Sequence, residues 1–160
     1  MQAEDLTVKA KGLIADRRYQ DGVKLCRRVL LSRPNHVPIR LLLGVALLAL
    51  ERYDEVQSEM LAVLRTNPRE AAAYRLLGEA YLHDGRIDQA RTALEKALEI
   101  RPDDEEARRL LDDVSSLQDS SPNTMERWFD QDSIDTAEGP SGMDEAPTVA
   151  RAPSFRPRPA

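Results

Sequence analysis

The chain has 160 residues, 41% hydrophobic and 32% charged, with a net charge of −5 and a pI of about 5.2. That is enough apolar matter for one cored domain with an appendage, and the acidic balance argues against a nucleic-acid binder, which needs a broad basic face. The single cysteine, Cys26, excludes an internal disulfide and fits a reducing, cytoplasmic setting.

The opening "MQAEDLTVKAKGL" carries acidic residues and no apolar core behind a basic start, so no secretory signal is expected. Apolar residues at three- and four-residue spacing predict a helix over Ala3–Ala15 and, after the turn "DRR", a second over Tyr19–Leu31. A second pair is expected at Val37–Leu50 and Tyr53–Arg65 around "ER", and a third at Ala71–His83 and Ile87–Ile100 around "DGR". The stretch "IRLLLGVALLAL" at 39–50 runs ten residues after Arg40 without a polar side chain. Spanning a membrane takes about 20 apolar residues, so no membrane insertion is expected. A helix that is apolar all round is one enclosed by protein.

What encloses it is a repeat. Pro34, Pro68 and Pro102 are spaced by 34 residues, and each closes a similar phrase: "LLSRPN", "LRTNPR", "LEIRPD". Stacking the segments aligns Ala10, Gly44 and Gly78, then Tyr19, Tyr53 and Ile87, then Gly22, Val56 and Ala90, then Val29, Val63 and Ala97. Small residues in such columns let two helices approach closely. After Pro102, "DDEEARRLLDDVSSLQ" starts acidic, which suits a helix N-terminus, and carries Ala107, Leu110, Leu111, Val114 and Leu117 on one stripe. It reads as a capping helix closing the apolar end of the array.

The third unit, with Tyr74, Leu77, Gly78, Tyr81, Ala90, Leu94, Ala97 and Pro102 at fixed places, resembles the tetratricopeptide repeat. The second departs at Arg40, Leu47 and Val56, and the first at Lys9, Ala10 and Gly22. The resemblance implies an all-α, right-handed solenoid of three 34-residue helix-turn-helix repeats at about 3–36, 37–70 and 71–104, capped by a helix at about 104–117. It also implies that the first helices line a concave groove where a protein or peptide partner binds. The residues expected there are Val8, Lys11, Ile14, Leu41, Val45, Leu48, Arg75, Glu79, Leu82 and His83, with Glu4, Thr7, Pro38, Leu42, Ala72 and Leu76 on the wider list. At least one of Leu41, Val45 and Leu48 should be exposed. Relatives that grip the C-terminal carboxylate of heat-shock chaperones use lysines and asparagines at positions that here read Thr7, Lys11, Leu42, Ala72 and Leu76. Only Lys11 is basic, so that use is not expected.

Domain 1–118 gives way to a tail, 119–160, that holds six of the ten prolines and a net charge of −4. Its composition predicts disorder. Yet the only Trp and both Phe of the chain lie there. In "NTMERWFDQ", Asn123 and Glu126 have capping-box spacing, and Met125, Trp128 and Phe129 would share one face of a short helix near 124–131. Three readings stay open: docking on the chain's own repeats, binding another protein, or a passive segment.

Catalytic and cofactor patterns are missing. His36 and His83 lack partners in metal-ligand spacing, and the acidic runs lack that of a calcium loop. No phosphate-binding glycine loop or nucleophile elbow is present. Cys26 lies on a buried stripe and reads as a small hydrophobe. No enzyme activity, metal or cofactor is expected. The expected function is a non-catalytic adaptor or scaffold, with the tail as a second contact or internal regulator. The alternatives are a small chaperone for an aggregation-prone or secreted client, and a structural subunit, self-association included.

Overall fold

The computed structural model describes residues 2–120, and Met1–Asp119 form one compact unit. The sequence readings at Met125, Trp128 and Phe129 lie outside the described residues. Every element among the described residues is an α-helix: α1 Ala3–Ala15, α2 Tyr19–Ser32, α3 Val37–Ala49, α4 Tyr53–Thr66, α5 Ala71–His83, α6 Ile87–Ile100 and α7 Glu105–Ser120. Odd and even helices form the first and second members of three pairs, and α7 follows as the cap.

Each turn has a local cause. The turn inside a pair needs one residue with positive φ, and these stand in register at Arg17 (61°), Glu51 (60°) and Gly85 (78°). The junction between pairs holds the prolines, which cannot continue a helix. Two residues after each proline comes the N-cap of the next first helix: His36, Glu70 and Asp104. Nδ1 of His36 accepts from the Ile39 N–H at 3.3 Å. Oδ1 of Asp104 accepts from the Ala107 N–H at 3.0 Å. Histidine is an uncommon cap, and Pro38 at the start of α3 fixes the backbone beside it.

The apolar helix α3 touches α1, α2, α4 and α5. Its Ile39, Leu43 and Leu47 are fully buried, and each such side chain contributes about 1.5–3 kcal/mol. This enclosure is why a ten-residue run without polar side chains is stable in a charged chain. Gly44 makes room for Met60 of α4: a Cβ there would lie 2.6 Å from the Met60 Cε. Gly78 does the same for Leu94 of α6, whose Cγ would be 2.7 Å away. Ala107, Leu110 and Val114 of α7 close over Ala90, Leu94 and Ala97 of α6. Leu111 is half-buried, and Leu117, read as part of the same stripe, is exposed.

Candidate partner-binding face

The first helices present three rows at 34-residue steps: Thr7, Leu41, Arg75; Lys11, Val45, Glu79; Ile14, Leu48, Leu82. The middle of each row is apolar. Leu41, Val45 and Leu48 are half-buried and packed on the core. None of the three is fully exposed, contrary to expectation. At i, i+4 and i+7 they border the buried stripe of Leu43, Ala46 and Leu47, so each leaves only one side open; Ala49 is the exposed residue.

The first unit contributes less than its sequence suggests. Val8 is 69% exposed, but it shares a column with Leu42 and with Leu76, which is 3% exposed. In α5 that position packs on the preceding first helix: the Leu76 Cδ1 lies 3.5 Å from where a Gly44 Cβ would stand. Among the described residues α1 has no helix before it, so Val8 is an end-face residue and not part of the row. Ile14 leans over Gly22 of α2, with its Cγ1 3.3 Å from a Cβ placed there. Lys11 is exposed.

The third unit is polar and braced. The Arg75 Nε pairs with Asp104 Oδ2 at 3.3 Å, and Asp104 is also the cap of α7. Arg75 thus ties α5 to the capping helix. One turn on, burial pushes the Glu79 carboxyl above its ordinary value, against the opposing pull of His83 and Arg75. Glu106 and Arg109 of α7 also act on it. The His83 ring stacks on Tyr53 of α4, with centroids 5.1 Å apart and planes 4° from parallel. Leu82 is half-buried against the α6–α7 cluster. The structure therefore sets Leu41, Val45 and Leu48 of α3 beside α5, which carries Arg75, Glu79 and His83, keeps Ile14 half-buried on the same core, and leaves Val8 aside.

Sequence reasoning missed Tyr53, Asp104, Glu106 and Arg109 as neighbours of this face. Asp104 had a signal, because it falls in the cap column of His36 and Glu70. The others come from packing between units. Among the described residues no group of three or more His, Cys, Asp or Glu could hold a metal, and no helix is long and apolar enough to cross a membrane. Cys26 is fully buried and its thiol is pushed up to about 11 by that burial, so it is no nucleophile at neutral pH.

Comparison with curated proteins returns no match. Solved structures do match. The first TPR domain of Spaghetti (RPAP3), bound to the HSP90 peptide SRMEEVD, is 19% identical over 74% of this chain and 94% of that one, with a TM-score of 0.70. MamA of Desulfovibrio magneticus RS-1 is 25% identical over 86% of this chain and 78% of that one, with a TM-score of 0.67. The type III secretion translocator chaperone SycD of Yersinia enterocolitica is 18% identical over 74% and 94%, with a TM-score of 0.67. The profile of the tetratricopeptide repeat family matches residues 13–77 and 62–114, overlapping spans that cover most of the chain. With its paired helices, its column of small residues and its capping helix, the chain belongs to the tetratricopeptide repeat family.

Proposed function

We propose that the protein is a non-catalytic adaptor that takes a partner segment along the first-helix face. The observation that carries this is the half-open apolar row of Leu41, Val45 and Leu48, flanked by Lys11 on one side and by Arg75, Glu79 and His83 on the other. Such a face suits a short helix or extended segment with two or three apolar anchors and a polar end beside Glu79. The solved relative that holds an HSP90 peptide supports peptide binding as a use of this fold. An acidic chaperone tail is not the ligand we assign. The positions that grip its carboxylate in that class of relatives hold Thr7, Lys11, Leu42, Ala72 and Leu76 here, and Leu76 is buried against α3.

The test is to select peptides from a random display library on the full chain and measure their affinity for a Val45→Asp/Leu48→Asp variant. The variant should lose at least about tenfold, or about 1.4 kcal/mol, for each apolar anchor displaced. Circular dichroism should show its helices retained. Equal affinity for the variant and the parent would remove the first-helix face from the mechanism.

A further inference from the structure

The cleft between the first and second helix of a repeat is finished differently in each unit. In the second repeat two ion pairs close it: Arg27 of α2 with Glu55 of α4, and the Arg40 Nη1 of α3 with Glu59 Oε2 at 2.6 Å. One repeat later those four positions are Leu61, Gln89, Tyr74 and Ala93, and an apolar cleft of about 370 Å³ stands between α5 and α6. In the first repeat the cleft has about 400 Å³ and a basic rim: Lys9, Arg18, Lys24 and Arg28 surround Leu13 and Leu25, with Asp21 as the one acidic residue. That carboxylate is taken by Arg18 at 2.8 Å.

Lys9 belongs to a face of α1 that the later repeats bury. Asp5, Val8, Lys9 and Gly12 are exposed, whereas their counterparts Ala73, Leu76, Leu77 and Ala80 in α5 are buried. In α5 this face rests on the preceding pair, as Leu76 does beside Gly44. On α1 nothing among the described residues covers it, and a Cβ at Gly12 would meet no atom within 4 Å. At the other end, α7 stands as a fourth first helix with no second helix behind it among the described residues. Asp112 falls in the column of Gly44 and Gly78, which are buried, and is itself exposed. Leu117, one turn past Asp113, is 49% exposed.

The two ends have opposite sign. Residues 2–33 carry eight basic and four acidic side chains, and residues 103–120 carry seven acidic and two basic. Residues 34–102, between them, are almost balanced, with nine basic and ten acidic. Lys9, Lys24 and Arg28 at one end, and Asp112 and Asp113 at the other, have no ion-pair partner among the described residues. Ends that are polar for solubility alone can be of either sign. Opposite charge around leucines at both ends is the complementarity of two halves of an interface.

We propose that the first-repeat cleft is the docking site for α7 of a second copy of this chain, with Asp112 and Asp113 against Lys24 and Arg28 and with Leu117 over Leu13 and Leu25. The contact runs head to tail, so each copy in a pair keeps one free end and the association continues unless the rotation between copies closes a ring. It uses none of Leu41, Val45 and Leu48, so it stands or falls independently of the partner-binding reading.

Sedimentation equilibrium of the full chain tests it. At about 0.01 M ionic strength, where charges act over about 30 Å, the mean mass should climb past that of a dimer as concentration rises. In about 1 M salt, where that range is about 3 Å, association should weaken severalfold. Lys24→Glu/Arg28→Glu should abolish it, and so should Asp112→Lys/Asp113→Lys; all four positions are exposed, and circular dichroism should show the helices kept. An equimolar mixture of the two variants should associate again, because each reversed end then finds a reversed end. Val45→Asp/Leu48→Asp should associate as the parent does. The proposal is overturned by a parent that stays monomeric, by a mass that stops at the dimer, by association that persists in both charge-reversed variants, or by a mixture that does not reassociate. Loss on Lys24→Glu/Arg28→Glu with retention on Asp112→Lys/Asp113→Lys would assign the cleft to another acidic segment of the chain and overturn it equally. The converse pattern would take the cleft out of the contact, and loss on Val45→Asp/Leu48→Asp would move the contact to the first-helix face; either overturns it too.

Discussion

The second and third repeats are built on the same backbone plan, yet their matching surfaces carry opposite chemistry. On the first-helix face the second repeat shows Leu41, Val45 and Leu48, and the third shows Arg75, Glu79 and Leu82. On the opposite side the second repeat is closed by charge, Arg27 with Glu55 and Arg40 with Glu59, and the third is apolar and open. The polarity is exchanged between the faces. The repeat period therefore fixes where a side chain points but not what it is for. That depends on the neighbour it meets, which for the third repeat is α7 and for the second is another full pair.

The glycine column tests how differently the two units are packed. At Gly78 an added Cβ would meet Leu94 Cγ at 2.7 Å, Leu94 Cδ2 at 2.9 Å and the backbone oxygen of Ala90 at 3.3 Å. None of these can withdraw easily, so Gly78→Ala should cost about 1–3 kcal/mol through overpacking. At Gly44 the intruded atom is the terminal methyl of Met60, the end of a flexible side chain. There Gly44→Ala should lie within about 1 kcal/mol of the parent, because the helix-propensity gain offsets a small shift of the methionine. Urea denaturation of both variants checks the contrast. Equal losses would mean that the two junctions are equally rigid.

The same column of second-helix residues, Cys26, Met60 and Leu94, holds a titratable group only in the first repeat. The folded thiol has its pKa raised from 9.0 to about 11 by burial. Below 9 the thiol is protonated in both states and costs nothing. As pH rises from 9 toward 11 the unfolded chain releases the proton and the folded one keeps it, so stability falls. The full shift amounts to about 1–3 kcal/mol. Cys26→Ala or Cys26→Val should flatten that part of the stability–pH curve, and a thiol reagent at neutral pH should label Cys26 only as fast as the chain opens.

Most of the fold was legible because period and composition agree. The first-helix starts at Ala3, Val37 and Ala71 follow from the apolar spacing and the 34-residue period, and they stand where the sequence placed them. The second helices α2 and α4 end one residue later than read, at Ser32 and Thr66, and α7 runs on to Ser120, since the last turn of a helix has no strong stop without a glycine. The site was less legible. Val8 looks like a groove residue in a column but is exposed only because nothing among the described residues precedes α1. Arg75 looks free, and only the fold brings Asp104, 29 positions away in sequence, against it. The α5–α6 cleft needs four positions to be compared between repeats, and no single residue announces it.

The smallest effect separates the turns of the two repeats. Glu51 and Gly85 occupy equivalent positions, with φ of 60° and 78°. Left-handed backbone costs a residue with a Cβ about 1–2 kcal/mol, whereas glycine adopts it freely. Glycine also has more freedom to lose on folding, which returns part of that gain. Glu51 makes no hydrogen bond through its side chain that would offset the strain, although its backbone N–H bonds to the Leu48 oxygen at 3.0 Å and glycine would keep that bond. Glu51→Gly should therefore stabilise the protein by about 0.5–1 kcal/mol, read as a rise in urea midpoint with unchanged slope. Gly85→Glu, the reverse exchange in the third repeat, should destabilise by a similar amount. A loss of stability on Glu51→Gly would show that the carboxylate, beside Tyr53 and Arg52 at the edge of the first-helix face, contributes more to that edge than its backbone geometry costs.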